Sequence, residues 1–197
     1  MLANTRDKIL EAAYSEIYTR GFQSASLSSI LMIAGVTKGA LYHHFPSKLE
    51  LGYAVVDEVI RAHMQEVWIE PVTNAENPID GIRAALALAA ERVTPECVRL
   101  GCPLNNLVQE MAPLDEGFRE RLKEIFAVWR DAYSKALQEG QSKGYVRADI
   151  NPQQTALFVI AGVEGCVGVS KNWASREALD ECGDALVVYL ESLRPQH

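Results

Sequence analysis

The sequence predicts an all-α protein of about nine helices, and three observations lead to that prediction. Apolar residues recur at intervals of three and four over most of the 197 residues, which is the spacing of one face of an α-helix. No long run alternates apolar and polar residues, as β-strands do. Gly, Pro and short polar capping residues separate the periodic segments, as they do at helix ends.

The first two predicted helices have strong end signals. Helix 1 begins after Asn4, a good N-cap, and ends at Gly21, where a left-handed residue closes a helix without strain. Helix 2 begins after Ser26 and ends at Gly35 for the same reasons.

The third helix is predicted at residues 38–44, because Thr37 caps it and Pro46 prevents its continuation. Longer apolar stripes then predict helices at 48–69, 79–94, 104–111, 115–143, 152–171 and 175–193. The helix at 48–69 belongs to both halves of the chain as a connector. We therefore expect a first domain at 1–50 and a second at 51–197.

The charge distribution is uneven. The net charge is −7, yet residues 1–50 hold five basic and four acidic side chains, against 14 basic and 22 acidic in the remainder. Between Glu16 and Glu50 there is no acidic residue. Carboxylates repel phosphates, so an acid-free stretch suits a surface that approaches a polyanion. A chance gap in acids is the alternative.

Several classes of protein are disfavoured by simple counts. No uninterrupted apolar run approaches the about 18 residues of a membrane span, and the start lacks a basic segment followed by an apolar one. We expect a cytoplasmic protein without a membrane partner. Cys97, Cys102, Cys166 and Cys182 are widely scattered, so reduced thiols are expected. A redox switch at Cys97 and Cys102 is the alternative.

Helices 2 and 3 are separated only by Gly35, Val36 and Thr37, which is the spacing of a helix-turn-helix. Leu41 and Phe45 are then the inward residues of helix 3. The outward residues would be Lys38, Gly39, Ala40, Tyr42, His43 and His44. A helix presented in this way enters the major groove of DNA.

The adjacent histidines raise two other readings. His43 and His44 would point about 100° apart on a helix, so they are not spaced to share a metal ion as i and i+4 histidines are. Proton chemistry would need a carboxylate that orients a histidine, and acids are missing from this region. Polar residues facing DNA are the favoured reading, and no metal or other cofactor is expected.

The stretch SLSSILMIAGVTKGALYHHFPSKLEL, residues 26–51, resembles the DNA-binding signature of the TetR family of bacterial transcriptional regulators. The match extends in order and spacing over residues 4–51. The resemblance implies a three-helix DNA-binding domain joined to a larger helical domain that binds an effector and forms a homodimer. Carried onto this sequence, the DNA-binding residues would be Ser26, Ser28, Thr37, Lys38, Gly39, Ala40, Tyr42, His43, His44 and Lys48.

The C-terminal half less specifically resembles one subgroup of the family. Its central helices are rich in large apolar groups with a few polar neighbours, a composition suited to a small-molecule pocket and also to an ordinary core. The candidate pocket residues are Met64, Trp68, Leu104, Leu107, Val108, Met111, Phe126, Trp129, Arg130, Tyr133, Phe158 and Trp173.

Gly162, Gly165 and Gly168 lie at intervals of three. They are not a phosphate-binding loop, because no strand precedes them and no Gly-Lys-Ser/Thr closes them. On one helical face they would let another backbone approach, at a dimer interface or a thin pocket wall. The predicted interface comprises Leu157, Gly162, Gly165, Gly168, Val169, Leu179, Leu186, Val187 and Leu190.

These observations predict a ligand-responsive repressor that leaves a palindromic operator when a small, largely apolar effector binds. An enzyme is the second hypothesis, but no set of nucleophile, base and orienting residue is visible. A third is an adaptor that has the fold but does not bind DNA.

Overall fold

The computed structural model describes residues 4–195, and all regular structure in that range is helical, so the predicted all-α fold is confirmed. The helices are α1 Thr5–Arg20, α2 Leu27–Ala34, α3 Lys38–His44, α4 Lys48–Ala54, α5 Arg61–Met64, α6 Glu70–Thr73, α7 Pro78–Arg92, α8 Pro95–Leu100, α9 Pro103–Met111, α10 Glu116–Ser142, α11 Pro152–Trp173 and α12 Arg176–Glu191.

Two regions differ from the predicted helices. The connector includes two π-helical stretches, Val55–Ile60 and Gln65–Ile69, and helical structure then continues to Thr73. A short helix, α8, was not predicted. It forms because the Thr94 hydroxyl accepts a hydrogen bond from the Cys97 amide at 3.2 Å, with Pro95 at the first helical position.

The chain divides into two compact units. The first combines the residues up to Ala62 with Pro103–Glu124, so α9 and the start of α10 pack with α1–α4. Its interior is apolar, and its largest fully buried side chains are Ile9, Ile30, Leu41, Leu51, Ile60, Leu104 and Phe118. Helices α1–α4 therefore share a core with a segment that is distant in the sequence.

The second unit combines His63–Cys102 with the residues from Ile125 onwards. Trp129, Tyr133 and Leu137 are fully buried along one face of α10, and α11 packs against α12. None of the helices within residues 4–195 is long and apolar enough to cross a bilayer.

The expectation of four reduced thiols is wrong for one pair. Cys166 on α11 and Cys182 on α12 form a disulfide, with their Cα atoms 5.5 Å apart. The packing of the two helices brings these residues within bonding distance, which scattered positions in the sequence do not reveal. Cys97 and Cys102 are not disulfide-bonded.

Candidate DNA interface

The turn between α2 and α3 is set by three consecutive residues. Gly35 adopts the left-handed conformation, with φ +65° and ψ 34°, and the Val36 amide donates to the Leu31 carbonyl oxygen at 3.2 Å. The Thr37 hydroxyl accepts from the Ala40 amide at 3.2 Å and so caps α3. This geometry agrees with the predicted helix-turn-helix.

The burial of α3 separates an inner side from an outer side. Leu41 and Phe45 are 1% and 3% exposed, respectively, and hold the helix against the unit's core. The polar residues lie outside. The exposed residues of the predicted DNA-binding set are Ser28, Thr37, Lys38, Gly39, Tyr42 and His43. The half-buried residues of that set are Ser26, Ala40, His44 and Lys48.

The exposed side of α3 combines cationic and aromatic groups. The Lys38 ammonium lies 5.8 Å from the centre of the Tyr42 ring, a cation–π distance. The His43 and His44 rings have centroids 5.1 Å apart with planes inclined by 68°. Within residues 4–195, no group of three or more His, Cys, Asp or Glu side chains is arranged to hold a metal ion.

Glu16 is a structural residue of this surface that sequence reasoning missed. It is only 5% exposed, and its carboxylate accepts hydrogen bonds from the Ser26 amide at 3.2 Å and the Ser29 hydroxyl at 2.9 Å. The one signal in the sequence is its place beside Ala12 and Ala13 on the buried stripe of α1. Its negative charge therefore supports the start of α2 from within.

Lys48 is held by the loop after α1. Its ammonium donates to the Gln23 carbonyl oxygen at 3.0 Å and lies 5.0 Å from the centre of the Phe22 ring. The amides of Phe22 and Gln23 both donate to the Glu110 carboxylate, each at 2.8 Å. Glu110 was also missed, because an acid on an amphipathic helix normally indicates only a solvated face.

Four of the predicted pocket residues form an aromatic cluster in the second unit. The Trp129 ring has centroid distances of 5.2 Å to Trp68, 6.1 Å to Phe126 and 6.0 Å to Tyr133. Trp129 and Tyr133 are fully buried, as is Met64 at 2% exposure. The structure thus brings these aromatic side chains together.

The other predicted pocket residues lie elsewhere. Leu104, Leu107, Val108 and Met111 are on α9 in the first unit, and all but the half-buried Val108 are buried. Arg130 is exposed and pairs with its neighbour Asp131 at 2.7 Å. Phe158 and Trp173 are 57% and 66% exposed on α11, and Phe158 contacts Tyr189 with a centroid distance of 5.0 Å.

The predicted interface residues fall into two sets. Leu157 and Val169 are exposed on α11, and a Cβ atom added at Gly165 or Gly168 would meet nothing within 4 Å. By contrast, a Cβ at Gly162 would lie 3.3 Å from a methyl of Leu186. Leu186 and Leu190 are buried within the unit and Leu179 and Val187 are half-buried.

Family sequence models match both parts of the chain. The model described as "Bacterial regulatory proteins, tetR family" matches residues 9–55. The model described as "Tetracyclin repressor-like, C-terminal domain" matches residues 78–186, more than half of the chain. The chain belongs to the TetR family of bacterial transcriptional regulators. Membership makes it a DNA-binding regulator of transcription and not an enzyme.

Individual TetR-family proteins are similar over most of the chain. The HTH-type transcriptional repressor DhaR of Mycobacterium sp. strain GP1 is 29% identical over 197 residues, covering 96% of this chain and 92% of DhaR. The transcriptional regulator AcuR of Cereibacter sphaeroides is 26% identical over 162 residues, covering 81% and 73%. The crystal structure of a TetR transcriptional regulator from Chloroflexus aurantiacus superposes with a TM-score of 0.83 at 26% identity, covering 95% and 94%.

Proposed function

We propose that this regulator is a homodimeric repressor that binds a palindromic operator through α3 of each protomer and is released by a small, largely apolar effector. The observation that carries the DNA-binding part is the outer side of α3. There, exposed Lys38, Tyr42 and His43 project from a helix that buried Leu41 and Phe45 fix in place.

The residues of α3 suit distinct contacts in the major groove. Thr37 and Lys38 open the helix, where the N-terminal residues meet base edges and phosphates. Gly39 permits close approach of the backbone, and Ala40 suits contact with a thymine methyl. We assign Tyr42, His43, His44 and Lys48 to the flanking phosphates, with Ser26 and Ser28 reaching the backbone from α2. About 3–5 phosphates per protomer would be neutralised.

The proposed dimer uses the exposed surface of α11 and α12. Five large apolar side chains are exposed there in the protomer, namely Leu157, Phe158, Val169, Trp173 and Val188. An exposed apolar group of this kind favours an interface, and the open faces of Gly165 and Gly168 leave room for a second backbone. Two copies would present two α3 helices about 34 Å apart, one turn of DNA. The site of action would be the cytoplasm, where the chromosome is.

The effector is proposed to bind near the aromatic cluster of Trp129. Two polar atoms in that cluster, Trp129 Nε1 and Tyr133 Oη, are buried without a hydrogen-bond partner among the described residues. Such a group costs about 1–3 kcal/mol unless something pairs with it. A ligand that carries a hydrogen-bond acceptor would remove that cost.

The same site favours a neutral ligand. Burial raises the pKa of Tyr133 well above its usual value, so the phenol stays protonated; the Trp129 N–H lies close enough to offset the rise in part but does not reach hydrogen-bond geometry. No Lys or Arg side chain of residues 4–195 is buried to balance an anion. In the same unit, burial, with a smaller effect from Arg92, lowers the pKa of His63, the only described histidine outside α3, which disfavours a positive charge there. We therefore assign the effector to small, mostly apolar compounds that carry a neutral hydrogen-bond acceptor, such as a carbonyl group.

Release requires that the effector bind the DNA-free form more tightly. A coupling free energy of about 2–3 kcal/mol gives roughly a hundredfold change in affinity for the operator. A tilt of the connector helices would change the separation of the two α3 helices and prevent simultaneous binding of both half-sites.

The experiment that tests this function is selection of binding sites from random duplex DNA by the purified protein. We expect enrichment of a palindrome. Lys38→Ala and Tyr42→Ala should weaken binding to the enriched duplex, whereas Lys135→Ala, at a lysine 80% exposed on α10, should not. A folded dimer that enriches no sequence, with or without added ligand, would contradict the proposal.

The effector is tested by thermal unfolding with a panel of small ketones and esters, each beside the carboxylate of the same skeleton. Neutral members should raise the midpoint more than their anions, and Tyr133→Phe should reduce that gain. A preference for the carboxylates would contradict the assignment to neutral compounds and leave the DNA-binding part intact.

A further inference from the structure

The loop that follows α1 is fixed by a side chain 88 residues further along the chain. Glu110 of α9 accepts one hydrogen bond on each carboxylate oxygen, from the Phe22 amide to Oε2 and from the Gln23 amide to Oε1, both at 2.8 Å. Bonds from amides to an ionised carboxylate are among the strong ones. Both partners belong to the first compact unit.

Gly21 makes this approach feasible. A Cβ atom at Gly21 would lie 2.9 Å from Oε2 and 3.0 Å from Oε1 of Glu110, so the carboxylate would have to shift to make room for it. Gly21 also has φ +81°, a conformation that favours glycine. The end of α1 is thus shaped so that a carboxylate can lie against its backbone.

The same loop holds the side chain assigned to a phosphate. The Gln23 carbonyl oxygen accepts a hydrogen bond from the Lys48 ammonium at 3.0 Å, and the Phe22 ring lies under that ammonium at 5.0 Å. The two residues that donate to Glu110 are therefore the two that contact Lys48. The loop therefore connects a carboxylate on α9 to an ammonium on α4.

α9 is itself firmly anchored in the first unit. Leu104, Leu107 and Met111 are buried on one side of it. Just beyond, the Asp115 carboxylate accepts from the Tyr53 hydroxyl at 2.7 Å and from the Phe118 amide at 2.8 Å. The buried side chains hold α9, and with it Glu110, in the first unit, whereas the two bonds to Asp115 fix the start of α10.

We propose that Glu110 is a positioning residue for DNA binding, which acts through Phe22 and Gln23 to hold Lys48 where it meets a phosphate. The inference rests on the proposed function, in which Lys48 contacts DNA. It makes α9, which lies outside the helix-turn-helix, part of the DNA-binding apparatus. A displacement of α9 would then move the Lys48 ammonium directly, without a tilt of the connector.

The test is a double-mutant cycle on the duplex that the wild-type protein enriches. Glu110→Ala, Lys48→Ala and the double variant are titrated at salt concentrations from about 50 to 200 mM. Each lost phosphate contact reduces the slope of log K against log salt by about 0.9, counted once for each protomer of a dimer. We expect Lys48→Ala and Glu110→Ala to reduce the slope by similar amounts. The double variant should reduce the slope by no more than Lys48→Ala alone does.

Two further variants separate positioning from folding. Glu110→Gln keeps one acceptor oxygen and should restore part of the slope, and it replaces Glu110→Ala if that variant unfolds. Tyr53→Phe breaks the neighbouring hydrogen bond to Asp115 without touching the loop, so the slope should stay at the wild-type value.

The outcomes distinguish the inference from the function. If Lys48→Ala reduces the slope and neither Glu110 variant does, or if the effects add, Glu110 does not position Lys48. If Lys48→Ala leaves the slope unchanged, the phosphate role of Lys48 is wrong and the inference fails with it. The selection of an operator decides separately whether the protein is a sequence-specific regulator.

Discussion

Arg6 and Glu58 form a two-pronged ion pair between α1 and the first π-helical stretch, with Nη1–Oε2 2.6 Å and Nη2–Oε1 2.5 Å. The Arg6 guanidinium also lies 5.1 Å from the centre of the Phe45 ring at the end of α3. One side chain therefore joins α1, the end of α3 and the connector. The pair is partly exposed, at 37% and 42%, so its contribution to stability is modest.

The first prediction is a pH-dependent effect of Arg6→Gln. The hydrogen bond from Arg6 lowers the pKa of Glu58, against an opposing effect of burial. A depressed folded-state pKa stabilises the protein above the unfolded value of about 4.3 and loses that effect as the pH falls. Arg6→Gln should therefore reduce the free energy of unfolding by about 0.2–1 kcal/mol at pH 7, and by much less below about pH 3.

Urea unfolding at both pH values provides the measurement. The matched control is Arg99→Gln, which removes an exposed pair within α8 at 3.1 Å and should have little effect at either pH. A loss that persists undiminished in acid would mean that Arg6 stabilises the fold through its contact with Phe45 and not through Glu58.

The second prediction compares two glycines. A Cβ at Gly52 would overlap the Phe22 ring and lie 2.8 Å from Phe118 Cζ, whereas a Cβ at Gly39 would have Thr37 Oγ1 as its nearest neighbour at 3.9 Å. Gly52→Ala should therefore destabilise the protein by about 1–3 kcal/mol. Gly39→Ala should not, because alanine favours a helix by about 0.5–1 kcal/mol over glycine.

For Gly39→Ala we expect the affinity for DNA to fall although the stability does not. Gly39→Ala should fold and yet bind the selected duplex more weakly, since the added methyl group would keep the backbone of α3 from the groove. Chemical denaturation and a binding titration on the same samples measure both effects. If Gly39→Ala binds as the wild-type protein does, no close approach occurs at that position.

Local signals in the sequence were enough for the helix-turn-helix. Gly35 and Thr37 define the turn by their own conformational preferences, and the structure agrees with the predicted span of α3. Family membership confirmed the class of protein.

Local sequence signals could not predict several other features of the structure. The six residues of α8 are too few for a periodic pattern. Glu110 reaches a loop 88 residues away, and nothing about an acid on α9 indicates that partner. The bond between Cys166 and Cys182 depends on how α11 crosses α12. The first feature is too short to show a period, and the other two join residues that are distant in the sequence. The periodicity of apolar residues describes only one helix at a time.

The third prediction concerns the unpaired hydroxyl of Tyr133. Because Tyr133 Oη is buried without a partner among the described residues, Tyr133→Phe should raise the free energy of unfolding by about 1 kcal/mol in the absence of effector. Tyr145→Phe provides the contrast, since the Tyr145 hydroxyl donates to Glu76 at 2.8 Å. Tyr145→Phe should not gain stability, because it removes a hydrogen bond that is made. A loss for Tyr133→Phe would mean that a bound water pairs with the hydroxyl.

The fourth prediction concerns the disulfide. Titration of the unfolded, unreduced protein with a thiol reagent should detect two thiols, Cys97 and Cys102, and reduction should bring the count to the four in the sequence. Cys182→Ser should reduce the free energy of unfolding by about 3 kcal/mol under oxidising conditions, as expected for a cross-link over 16 residues. With reductant the wild-type protein should be no more stable than the variant.

Cys97→Ser is the control, because it removes a cysteine that takes no part in the bond, and it should lose the same stability on reduction as the wild-type protein. Four reactive thiols in the protein as isolated without reductant would contradict the pairing of Cys166 with Cys182.

The last prediction tests the proposed dimer at its glycine face. A side chain at Gly165 or Gly168 meets nothing within 4 Å in the protomer, so Gly168→Lys should leave helical content and protomer stability intact. In the dimer a charged side chain would meet an apolar partner surface at a desolvation cost of several kcal/mol. Sedimentation should therefore detect monomers at concentrations where the wild-type protein is dimeric, and binding to the palindromic duplex should weaken in parallel.

Ser142→Lys adds the same charge at an exposed position at the end of α10 and should remain dimeric. If Gly168→Lys sediments as the wild-type dimer does, then the interface lies elsewhere and the glycines of α11 have no role in it. If Gly168→Lys is monomeric but binds the duplex as tightly as the wild type, then the two half-sites do not require a dimer held together by α11.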